Sequence, residues 1–85
     1  MLRIKYTKSR GSIKSQLFPI SDKLMPYIYI NNRFEVFIKN ADITIYYELC
    51  TSLRNAKYCA RKFIEKLGYP LLTEMRKKND KAITR

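Results

Sequence analysis

Apolar positions recur along this chain with two periods. Between residues 2 and 7 the period is two: Leu2, Ile4 and Tyr6 alternate with Arg3, Lys5 and Thr7, as in a strand with one buried face. Ser9-Arg10-Gly11-Ser12 breaks the alternation as a turn, with Gly11 supplying a positive φ, and residues 13–18 read as the returning arm of a hairpin. Residues 19–26 have a proline at each end and no period, which predicts a loop crossing the surface. Alternation then resumes. Residues 27–30 are β-prone, Asn31-Asn32 suits a tight turn, and Phe34, Val36 and Ile38 share one side of residues 34–39. After a turn at Asn40-Ala41-Asp42, Ile43, Ile45, Tyr47 and Leu49 form the apolar side of residues 43–49, with Thr44, Tyr46 and Glu48 opposite. Three consecutive strands of this kind predict an antiparallel meander.

The period changes to 3.6 after residue 51. Leu53, Ala56, Ala60, Phe63, Ile64 and Leu67 fall within an arc of roughly 100° on a helix over 52–67. Thr51 or Ser52 caps its first turn, Gly68 takes the left-handed conformation after its last, and Pro70 prevents continuation. This helix is the element available to cover the meander, so the predicted architecture is α+β, a small antiparallel β-sheet packed against one main α-helix. The 85 residues suffice for a single domain. Pro70 with Leu71, Leu72 and Met75 predicts a short C-terminal helix, and Arg76, Lys77, Lys78, Lys81 and Arg85 form a basic tail.

Charge narrows the function. Eighteen Lys and Arg against seven Asp and Glu give +11, which opposes compaction unless an anionic partner neutralises it. Nucleic acid ranks first among such partners, then a membrane surface, then an acidic protein. No apolar run approaches the ~20 residues of a membrane span, and the charged N-terminus lacks the apolar core of a signal peptide. The expected location is the cytoplasm, with no membrane partner.

The chain has no histidine, the usual proton carrier near neutral pH. Glu35, Glu48 and Glu65 occupy positions suited to ordinary surface charge, and phosphate-loop and nucleophile-elbow motifs are missing. The protein is therefore expected to be non-enzymatic and to need no cofactor. Cys50 and Cys59, eight residues apart, match no zinc spacing and read as reduced, partly buried thiols.

What remains is a cationic surface interleaved with aromatics, seven Tyr and four Phe. Arg54, Lys57 and Arg61 share one helix flank with Tyr58 beside them, and Lys62 follows round the back. Arg3, Lys5, Lys8, Arg10 and Lys14 precede the first acidic residue. These ten residues are the predicted RNA-binding set, acting on phosphate without sequence preference. Tyr27, Tyr29, Tyr46 and Tyr58 are the rings predicted to stack on unpaired bases.

The order of three strands and a helix, with Phe34 opening the middle strand, Tyr46 and Tyr47 ahead of Thr51, and Ala56 and Ala60 punctuating the helix, resembles the AP2-like DNA-binding domains of phage integrases and homing endonucleases. That resemblance implies reading of double-stranded DNA from one sheet face, on which Glu35 and Glu48 are expected here. In size, charge and a composition poor in Gly and Pro and rich in Lys, Ile, Asn and Tyr, as AT-rich genomes encode, the chain also resembles the small TifA-like counter-defence proteins of T-even phages, which act on the ToxIN toxin–antitoxin system. This second resemblance implies RNA binding and inhibition of a host ribonuclease toxin in a ribonucleoprotein complex, in the host bacterial cytoplasm. RNA binding with counter-defence is the leading expectation, an AP2-like DNA binder the alternative, and a protein-only inhibitor of an acidic partner the third. Exposed strand edges leave a homodimer open.

Overall fold

The first turn sets the hairpin. Arg10 (φ 49°) and Gly11 (φ 83°) both take positive φ, as in the type I′ turns whose twist suits a two-residue hairpin. Ser12 Oγ also donates to the Ser9 carbonyl at 2.8 Å. The turn joins β1 (Tyr6–Ser9) to β2 (Ser12–Ser15), with Tyr6 opposite Ser15. The chain continues as β3 (Tyr27–Ile30), β4 (Glu35–Asn40) and β5 (Ile43–Leu49). All five strands form one antiparallel sheet in sequence order. The helix α1 (Leu53–Lys66) packs across β3, β4 and β5. The computed structural model describes residues 2–69, so the C-terminal helix and basic tail expected from residue 70 lie outside the described residues.

Both arms of the hairpin differ from the alternation-based limits. Residues 2–5 precede the ladder, although Leu2 and Ile4 still pack against the core while Arg3 and Lys5 are exposed. β2 stops at Ser15, three residues early, because that side chain turns inward. Its Oγ accepts the Ile28 N–H and donates to the Gln16 carbonyl, each at 2.8 Å, satisfying buried groups a ladder would otherwise pair. Beyond it Phe18 plunges into the core, its N–H bonded to the Pro26 carbonyl at 2.8 Å. The 19–26 segment is consequently more than a surface crossing, since Ile20 and Pro26 are buried.

Phe34 does not open β4 as a strand residue. It sits at φ 64°, a left-handed conformation costly for a bulky side chain, ahead of a strand that starts at Glu35. Asn31 shapes this turn, its Oδ1 accepting the N–H groups of Arg33 and Glu35 at 3.0 Å. The Phe34 ring still packs against the core, and its carbonyl accepts the Cys50 N–H at 3.0 Å.

β5 contains the largest departure. Ile38 pairs with Tyr46 but Lys39 pairs with Thr44, so Ile45 is one residue too many and forms a bulge. An extra residue reverses every later side chain. Ile45 packs on the core as expected, yet Tyr46 now lies over the Phe63 ring at 4.5 Å on the helix side. Tyr47 and Leu49, expected inside, point away from the helix and are 49% and 65% exposed.

The helix follows its signals closely. Ser52, rather than Thr51, caps it by accepting the Asn55 N–H at 3.1 Å, and Gly68 ends it at φ 91°. Ala56, Ala60 and Ile64 are buried against Ile28, Ile30, Val36 and Ile38, with Phe63 and Leu67 partly buried beside them. Leu53, expected in the core arc, is instead 39% exposed in the first turn. Among the described residues no helix is long and apolar enough to cross a membrane.

Candidate nucleic-acid interface

The helix covers one side of the sheet and leaves the other bare. Cross-strand partners share a face, so the register defines a row across all five strands: Thr7, Lys14, Tyr29, Phe37 and Tyr47. Its rings touch in sequence, Tyr29 to Phe37 at 6.1 Å and Phe37 to Tyr47 at 5.0 Å between centroids, all tilted. Lys14 places Nζ 4.5 Å from the Tyr27 ring, and Lys39 lies 6.0 Å from Phe37. Aromatic rings with cations close by supply the two kinds of contact that hold a single strand, stacking for unpaired bases and charge for their phosphates.

The acidic residue on this face is restrained. The Tyr47 hydroxyl donates to Glu35 Oε2, and Asn31 Nδ2 donates to Oε1 at 2.8 Å. These bonds, Tyr47 first, hold the Glu35 carboxyl below its ordinary value and raise the Tyr47 phenol. A carboxyl with a depressed folded value stabilises the fold above the ordinary carboxylate range, and the contribution is lost as pH falls through that depressed value. In an NMR titration Glu35 should protonate at lower pH than an unperturbed glutamate, and Tyr47→Phe should move its midpoint upward. An unmoved midpoint in that variant would contradict the hydrogen bond.

A second surface lies on the helix side. The i, i+3, i+4, i+7 spacing of Arg54, Lys57, Tyr58 and Arg61 sets them on one flank of α1. They wall an open groove of about 390 Å³ floored by Leu2, Ile4 and Tyr6. Lys57 Nζ is 5.2 Å from the Tyr6 ring, while Arg61 and Lys62 approach the Tyr58 ring at 5.4 and 5.7 Å. Burial pushes the Tyr6 phenol up to about 12, so the floor stays uncharged at neutral pH.

The ten residues singled out from sequence therefore divide. Arg54, Lys57, Tyr58, Arg61 and Lys62 come together on the helix flank. Lys14 belongs to the bare face, Arg10 stands at the hairpin tip, and Lys8 pairs with Ile13 on the helix side of β1. Arg3 and Lys5 are exposed on the alternate side from the groove floor. Of the four rings expected to stack, Tyr27, Tyr29 and Tyr58 are accessible, whereas Tyr46 is turned in against Phe63 and donates to Glu48. Glu48 accordingly lies on the helix side, opposite Glu35. Phe37 and Tyr47 went unselected, because only the pairing register aligns them with Tyr29. Compared with family models, curated proteins and solved structures, the chain matches none.

Proposed function

We propose that the protein is a non-enzymatic binder of RNA or other single-stranded nucleic acid, without sequence preference, using the bare face of the sheet as a stacking platform. The observation that carries this reading is the contiguous Tyr29, Phe37 and Tyr47 row flanked by Lys14 and Lys39. Unpaired bases can stack on such rings, whereas a duplex keeps its bases stacked on one another. An AP2-like reading of double-stranded DNA is thus the weaker alternative, and Glu35 on the same face adds repulsion toward phosphate.

Two anion-binding surfaces on opposite sides of one sheet suit a bridging role. One surface holds an RNA strand while the other reaches RNA already carried by a second protein. A phage counter-defence factor that keeps a host ribonuclease toxin inactive in a ribonucleoprotein complex would use such a geometry, and this is the biological setting we propose.

Binding of unstructured RNA and of duplex DNA, each measured across a fourfold rise in salt, tests the reading. Contact with about five phosphates of a single strand predicts a loss of about a hundredfold for RNA. RNA should also bind more tightly than duplex at every salt concentration. An affinity flat in salt, or a preference for duplex, would overturn it.

A further inference from the structure

Two thiols with no motif spacing meet at one corner of the fold. Cys50 follows the end of β5, buried, its N–H fixed on the Phe34 carbonyl at 3.0 Å. Cys59, half-buried on α1, faces back toward it. Between them lies Glu48, whose Oε2 is 3.4 Å from Cys59 Sγ and 3.9 Å from Cys50 Sγ. The three donor atoms all lie within 4.8 Å of one another. The other carboxylate oxygen, Oε1, accepts the Tyr46 hydroxyl, which aims Oε2 at the thiols.

These separations have a chemical meaning. A tetrahedral zinc ion with Zn–S of about 2.3 Å and Zn–O of about 2.0 Å requires S···O edges of roughly 3.5 Å. The observed S···O distances differ from that by a few tenths of an ångström, which rotamer adjustment absorbs. The Tyr46 hydrogen bond supplies the outer support that metal-bound carboxylates ordinarily have. Cys59 also lines a small open groove with Tyr58 and Lys62, which provides an entry path and a position for water as fourth ligand.

We propose that Glu48, Cys50 and Cys59 form a site for a thiophilic divalent cation of the zinc type. Binding breaks two S–H bonds, forms two metal–thiolate bonds and one metal–carboxylate bond, and releases two protons to solvent, with no change of oxidation state. The site carries one negative charge before binding, from Glu48, and one afterwards, from a 2+ ion and three anionic ligands. The strongly basic chain therefore imposes no net Coulomb penalty on occupancy. The metal would tie the end of β5 to α1, on the side of the helix where Tyr58 and Lys62 border the flank surface.

Cobalt(II) is the probe, added to the fully reduced full-length protein under anaerobic conditions with a non-thiol reductant. A thiolate-to-cobalt charge-transfer band should grow to an equimolar endpoint and disappear on adding zinc. Cys59→Ser should abolish the band and Glu48→Gln should weaken it, and both positions are accessible enough for the variants to fold. Zinc should raise the Tm of the parent protein and leave that of Cys59→Ser unchanged. Absence of the band at equimolar cobalt, or its persistence at full strength in both variants, would overturn the site.

Discussion

A Tyr29→Thr, Tyr47→Thr variant should bind unstructured RNA at least about thirtyfold more weakly than the parent protein while keeping its fold. Stacking of a base on an aromatic ring is worth ~1–3 kcal/mol, so losing two such contacts removes ~2 kcal/mol at minimum, at about 1.4 kcal/mol per factor of ten. Threonine retains strand propensity, and neither ring lies in the buried cluster on the helix side, so far-ultraviolet circular dichroism should be unchanged. The same variant should keep the parent's salt dependence, because both lysines of the face remain. Arg54→Glu with Lys57→Glu should behave in the opposite way, flattening the salt dependence through lost phosphate contacts while leaving base stacking in place. Parent-like RNA affinity in the threonine variant would show that the bare face is not the platform.

Phe18→Ala should be the most damaging single truncation. The ring is fully buried, contacts Tyr69 edge-on at 5.4 Å, and fills the space where the 19–26 segment closes over the core. Emptying it costs ~3–5 kcal/mol, against a total stability on the order of 4–13 kcal/mol for a chain of this length. Leu17→Ser, one residue earlier at a side chain 55% exposed, should change stability by less than ~0.5 kcal/mol. Urea denaturation midpoints measure both. A larger loss from Leu17→Ser than from Phe18→Ala would mean that the chain enters this loop with the opposite face inward.

Which features were legible depends on how locally each is determined. The helix was readable almost to the residue because Ser52, the alanine spacing and Gly68 act within one turn of themselves. β3 was readable because its four β-prone residues lie between a proline and an asparagine turn. Phe18 was not, because its burial follows from Ser15 leaving the ladder to bond Ile28, a contact 13 residues distant. Tyr46 and Tyr47 exchanged faces because alternation assumes that no residue is inserted, and the bulge at Ile45 is visible only against β4. The helix-flank cations were found as a group since they share one element. Their groove was not, because its floor comes from residues 2–6. Cys50 and Cys59 gave no signal at linear spacing; their approach depends on how α1 lies on β5.

The bulge also changes what counts as a conservative alteration in this chain. Which side of the sheet Tyr47 and Leu49 occupy is fixed by their pairing with Phe37 and Glu35, and the bulge accommodates a residue count between Thr44 and Tyr46 that is one more than this pairing needs. Exchanging Ile45 for another aliphatic side chain preserves that count. Deleting it leaves composition and charge almost untouched and closes the bulge: Thr44 opposite Lys39 then runs directly into Tyr46 opposite Ile38, and Tyr47 and Leu49 keep the bare face. A relative of this protein that lacked Ile45 would therefore present the same bare face and lose only the bend and the core contact that the extra residue supplies, so for residues 43–49 pairing is inherited more strictly than length.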